Sequence, residues 1–143
     1  MFNVIVVGVD GSETAEAAAR RAAELALATD STLEIVSAYD GYEVRKVDAP
    51  EEFHVTSEDD AQTVAGRLAA RFTAEMPGLK VTSSPVDGKP GEALAQRATE
   101  LDAGLIVIGN KRVQGMARVF GNVAAAVAAK APCDVYVVHT HGN

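Results

Sequence analysis

The sequence predicts an α/β domain: a doubly wound, five-stranded parallel sheet with strand order 3-2-1-4-5. Two observations carry this expectation. Five short apolar runs alternate with four segments whose apolar residues recur at helical spacing. The helical stripes are rich in alanine, small enough for a helix to lie close on a sheet. The 143 residues, 48% of them hydrophobic, suit one domain with a real core.

The elements follow in order. Asn3-Val4-Ile5-Val6-Val7 is β-branched and apolar, hence a buried strand. Asp10-Gly11-Ser12 breaks it, and Ser12 caps a helix with Glu13 and Glu16 in its first turns. Ala15, Ala18, Ala19, Ala22, Leu25 and Ala26 form that helix's stripe. Thr32 to Ala38 is strand two. The acidic stretch after it, with Gly41 and Pro50, reads as a long, mobile loop.

Ser57 caps a second helix carrying Ala61, Val64, Ala65, Leu68 and Phe72, and Pro77-Gly78 ends it. Leu79 to Val86 is a more polar strand, expected at an edge. Pro90 opens a third helix with Leu94, Ala98 and Leu101 on one face. Gly104 to Ile108 is the most apolar strand, hence central. After a glycine-containing loop, Asn122 is expected to cap an alanine-rich helix ending at Ala131-Pro132. Asp134 to Val138 is strand five.

Composition excludes several function classes. The net charge of −7 argues against nucleic acid or an anionic membrane as partner. No apolar run is long enough for a transmembrane helix, and no basic leader precedes an apolar stretch, so the expectation is a cytoplasmic protein. The single cysteine, Cys133, fits a reducing compartment and is expected to pack as a small apolar residue beside Pro132. His139 and His141 have no sequence neighbour that would make them a metal pair.

The charge is unevenly placed. Residues 40–60 hold eight acids against Arg45 and Lys46, whereas residues 103–133 hold Lys111, Arg112, Arg118 and Lys130 with no acid. The basic segment is either a solvated loop or a local anion site. Gly109, Gly115 and Gly121 lie within it, and Gly121-Asn122-Val123 is read as a helix start whose free N–H groups face an anion. Strands one and four flank the point where the strand order reverses, and ligands bind there at the carboxyl ends. Asp10, after strand one, could accept from ribose hydroxyls or hold a metal beside a phosphate; equally it could cap its own turn. No Lys-Ser or Lys-Thr closes a P-loop, and Ser12 lacks a nucleophile elbow.

Val6-Val7-Gly8-Val9-Asp10-Gly11-Ser12-Glu13 resembles the opening of the universal stress protein family. So do Gly88-Lys89-Pro90, Leu105-Ile106-Val107-Ile108-Gly109-Asn110, and Gly121-Asn122-Val123 before Ala131-Pro132-Cys133-Asp134-Val135. The match runs in order along nearly the whole chain, as for a single-domain, actinobacterial-like member spanning 1–143. The resemblance implies a Rossmann-like fold, a homodimer through strand five, and an adenine nucleotide, ATP or AMP, at the switch point, with Mg²⁺ as an accompanying ion.

The resemblance also implies site residues. Val9 and Asp10 fall where adenine and ribose are met, and Ala38 and Val86 where strand ends wall the base. Ile108, Gly109, Lys111, Arg112, Gly121, Asn122 and Val123 fall along the phosphate-holding segment. Three departures stand out: Arg112 occupies the family's second glycine, eight residues rather than nine separate it from Gly121, and Asn122 replaces the usual Ser or Thr. Three readings follow. The first is a nucleotide-binding stress sensor or regulator with at most slow hydrolysis, since only Asp10 could serve as base. The second is a dimeric interaction module that has lost the nucleotide. The third, an adenylating enzyme, needs a second pocket that this length barely allows.

Overall fold

Each apolar run forms a strand of one parallel sheet. The strands are β1 (Val4–Gly8), β2 (Thr32–Tyr39), β3 (Lys80–Asp87), β4 (Leu105–Gly109) and β5 (Asp134–Val138), in the order β3-β2-β1-β4-β5. The computed structural model describes residues 3–40, 57–109 and 117–139, with side chains in the last segment from 123 onward. Among the described residues four helices join the strands: α1 (Glu13–Thr29), α2 (Glu58–Glu75), α3 (Pro90–Leu101) and α4 (Ala117–Lys130). The acidic stretch 41–56, expected as a loop, lies outside the described residues.

The sheet is buried on both faces, which explains why β1 and β4 are unbroken apolar runs. Side chains alternate across it. Ile5, Val7, Leu33, Ile35, Leu105 and Val107 face α1 and α2, meeting Ala18, Ala19, Ala22, Leu68 and Phe72. Val6, Val36, Ile106 and Ile108 face α3 and α4, meeting Ala93, Leu94, Ala98 and Val127. Cys133 packs half-buried at the margin of this second layer. Burial, and then the neighbouring Asp134 carboxylate, push its thiol above the ordinary value, which keeps it protonated and unreactive near neutrality.

The helix starts follow the capping chemistry. Ser12 Oγ accepts from the Ala15 N–H at 3.1 Å, and Ser57 Oγ from the Asp60 N–H at 3.1 Å. Pro90 stands in the first turn of α3, where its missing N–H costs nothing. The expectation for Asn122 fails. α4 begins at Ala117, so Gly121 and Asn122 lie inside it rather than at its cap. The N–H groups from Gly121 onward therefore belong to the helical ladder. Residues 117–120 contain no Gly or Pro to stop the helix, and an asparagine inside it costs only about 0.7 kcal/mol against alanine.

Helices α3 and α4 touch at Gly91. A Cβ on Gly91 would stand 2.6 Å from the Ala126 Cβ and 3.4 Å from the Val123 carbonyl. Only a glycine allows these two helices to sit so close.

One polar group interrupts the same layer. Glu34, in the middle of β2, is 2% exposed. Its carboxylate accepts from the Thr82 hydroxyl, from Ser84 Oγ at 2.5 Å and from Arg97 Nε on α3 at 2.9 Å. Arg97 also donates to Glu100 at 3.0 Å. A buried carboxylate with three donors is satisfied. β3 is an edge strand, as its polarity predicted, yet Thr82 and Ser84 are also partners of a buried charge.

Candidate functional site

The turn after β1 sets the centre of the site. Val9 is buried, and its N–H donates to the Val36 carbonyl of β2 at 2.8 Å. The exposed Asp10 follows, with Oδ1 accepting from the Ser12 N–H at 2.9 Å. The carboxylate thus fixes the entry into α1, the capping role allowed for it in sequence. It also lies on the wall of a cleft.

That cleft has a volume of about 270 Å³ and opens at the carboxyl ends of β1, β2 and β4. Of the residues expected at a ligand site, it gathers Val9, Asp10, Ala38, Ile108, Gly109 and Val123. Val86 is not among the described residues lining it; it pairs with Ala38 one strand further out and is buried in the layer under α3. Lys111 and Arg112 lie outside the described residues. Gly121 and Asn122 belong to the second turn of α4, directly before Val123, which lines the cleft.

Sequence reasoning missed several lining residues. Val36 completes the floor beside Ala38, and Pro90 and Leu94 bring the first turns of α3 over it. Thr14 and Ala15 add the first turn of α1, next to its cap Ser12. The signal for them was present. Once the strand order is fixed, the last residues of β1, β2 and β4 and the first turns of the following helices must converge.

The chemistry of the cleft is divided. Val36, Ala38, Leu94, Ile108 and Val123 make an apolar slot suited to a flat ring. Asp10, Ser12 and Thr14 bring hydroxyl and carboxylate groups to the same cleft. α1 and α3 both start at this cleft, so two helix dipoles place partial positive charge there. The outer end of β2 has the opposite character. Burial, then Glu58 and Asp87, push the Tyr39 hydroxyl above its ordinary value.

Gly109 ends β4 against the first turn of α1. A Cβ there would lie 3.2 Å from both Thr14 Cγ2 and the Thr14 carbonyl oxygen. Its glycine keeps the strand end closed on the helix while leaving bare backbone on the cleft side. Among the described residues, no group of three or more His, Cys, Asp or Glu could hold a metal ion. None of the described helices is long and apolar enough to cross a membrane.

Comparison with known proteins places this geometry. The model of the universal stress protein family matches residues 1–139. A universal stress protein of Mycobacterium tuberculosis is 36% identical over 145 residues, covering 97% of each chain. Among solved structures, a universal stress protein in complex with cAMP superposes with a TM-score of 0.73 at 28% identity, covering 98% of this chain and 99% of that one. A universal stress protein from Archaeoglobus fulgidus in complex with dAMP gives 0.70 at 26% identity, covering 96% and 98%.

Proposed function

The chain belongs to the universal stress protein family, and from that premise we propose that it binds an adenine nucleotide in the switch-point cleft. It acts there as a cytoplasmic sensor or regulator of the stress response rather than as an enzyme. One observation carries the reading: an apolar slot between Ala38, Leu94 and Ile108 runs into two helix starts and the bare backbone of Gly109. The slot suits a purine, and the positive end suits a phosphate. Two solved relatives hold cAMP and dAMP, which supports the ligand class.

In this reading Asp10 receives the ribose hydroxyls at the cleft mouth. Ala38 and Val9 wall the base, and Val86 supports Ala38 from the next strand. Lys111 and Arg112, two and three residues after Gly109 in sequence, supply cationic charge to the phosphate. Gly121, Asn122 and Val123 border the phosphate through the helix they share. Mg²⁺ accompanies a triphosphate, with Asp10 as the nearest carboxylate.

Calorimetric titration with AMP, ATP and cAMP, each with and without Mg²⁺, tests the reading. Saturable heat with at least one of them is expected. Ala38→Phe, which fills the slot from its floor, is expected to weaken binding by tenfold or more while leaving the fold intact. No heat and no thermal shift with any of the three would sink the reading. That outcome favours the interaction module, to which Arg112 in place of a glycine already points.

Dimerisation through β5 is part of the same proposal. β5 is the last strand of the sheet, and Val137 on it is 40% exposed. An apolar edge needs a cover, and a second copy of β5 supplies one. Sedimentation velocity at micromolar concentration is expected to show a species of twice the chain mass; a single monomer boundary would refute it.

A further inference from the structure

The Glu34–Arg97 pair joins the two elements that form opposite walls of the cleft. Side chains on one face of β2 alternate, so Glu34, Val36 and Ala38 stand in a row. Val36 and Ala38 form the cleft floor. Glu34, the next in the row, is buried beneath it. On α3, Arg97 lies one turn after Leu94, and Pro90 and Leu94 overhang the same floor. The bond from Arg97 Nε to Glu34 therefore fastens α3 to β2 directly behind the slot.

The fastening is specific. Thr82 and Ser84 hold the carboxylate from β3, so it meets the guanidinium in a fixed orientation. Glu100 takes Arg97 Nη1 at 3.0 Å and steadies the other end. Above the pair, Leu94 presses on Gly8: a Cβ on Gly8 would lie 3.0 Å from both Leu94 methyl carbons. The height of α3 over the sheet is thus set at two points one helical turn apart, one polar and one apolar.

A buried ion pair is a poor source of stability, because desolvation of the two charges offsets their attraction. An apolar pair of similar volume would serve the core as well. What it would not supply is direction, since packed methyls tolerate sliding and a guanidinium on a held carboxylate does not. The geometry points to Glu34 and Arg97 as positioning residues for the cleft: they fix the height and rotation of α3, and so the width of the slot between Leu94 and the floor of Val36 and Ala38. Neither residue lines the cleft itself. The affinity half of this inference rests on the adenine-nucleotide reading above.

The test removes both charges together. Glu34→Met with Arg97→Met keeps the volume, and Thr82 is exposed and Ser84 half-buried, so their hydroxyls can turn to water. The double variant is expected to resist urea as well as the parent chain. Its nuclear Overhauser contacts between the Leu94 methyls and the Gly8 α-protons, measured without ligand, are expected to weaken. Its affinity for AMP is expected to fall at least fivefold.

A folded double variant that keeps both the Leu94–Gly8 contacts and the affinity overturns the inference. If the parent chain binds no AMP, the nucleotide reading fails separately, and the ligand-free contacts still decide the positioning role. If the double variant does not fold, Arg97→Lys carries the test. It keeps the charge but loses the planar fork, and intermediate values of both readouts are expected; parent-like values would overturn the role.

Discussion

Arg97→Met, made alone, is expected to destabilise the folded chain by about 3 kcal/mol. The cause is the residue left behind. Glu34 is 2% exposed, and its carboxylate would be left with only the hydroxyls of Thr82 and Ser84 as donors. Breaking a buried pair from one side costs more than removing it whole, because an uncompensated charge remains in a low-dielectric layer. Arg97 is itself 28% exposed, so some water can reach the vacated space, which holds the figure at the lower end of the usual range. Urea unfolding with an unchanged m-value is the measurement. A loss below about 1 kcal/mol would show that the carboxylate is hydrated and that Arg97 is a surface residue in energetic terms.

Gly91→Ala is expected to cost about 2 kcal/mol, although alanine is by far the better helix former. The propensity gain of about 1 kcal/mol is overrun by the clash. The added methyl would lie 2.6 Å from the Ala126 Cβ and 3.4 Å from the Val123 carbonyl oxygen and the Val127 nitrogen, a short methyl and helix backbone rather than the end of a flexible side chain. Relief requires α3 and α4 to move apart, which carries Val123 away from the cleft wall. The compensating swap, Gly91→Ala with Ala126→Gly, moves one methyl from one helix to the other. It is expected to restore most of the loss in thermal unfolding. If the swap is no better than the single change, the contact with Ala126 is not the cause.

Much of the fold could be read before any coordinates. Val4 to Gly8 announces a strand covered on both faces, Ser12 and Ser57 announce helix starts, and Pro90 does the same for α3. Each of these signals is local, so the sequence holds all of it. The strand order then brings Val9, Asp10, Ala38, Ile108, Gly109 and Val123 to one cleft. What escaped has a physical reason in each case. Asn122 carries a good cap side chain, but an N-cap forms only where the helix starts, and α4 starts five residues earlier, at Ala117. Glu34 sits in an apolar run as a lone acid, and its partners lie 48, 50 and 63 residues further along the chain. No periodicity within β2 could announce them. The spacing of Leu94 puts it on one face of α3, but its place above Gly8 depends on the height of α3, which only the assembled layers determine.

The alanine stripe of α1 has a consequence for what this chain can tolerate. Ala18, Ala19, Ala22, Ala23 and Ala26 are all buried against the sheet. Alanine has no rotamers to freeze, so the helix docks without side-chain entropy loss. Each methyl also contributes little on its own, and the contact is divided into many small, nearly equal parts. Trimming any one of them to glycine is a modest loss of about 1 kcal/mol from helix propensity, plus its share of packing. Enlarging one is different in kind, because a branched side chain would lift the whole helix and loosen the other four at once. Tolerance along this face is therefore one-sided: variation can subtract atoms from it far more readily than it can add them.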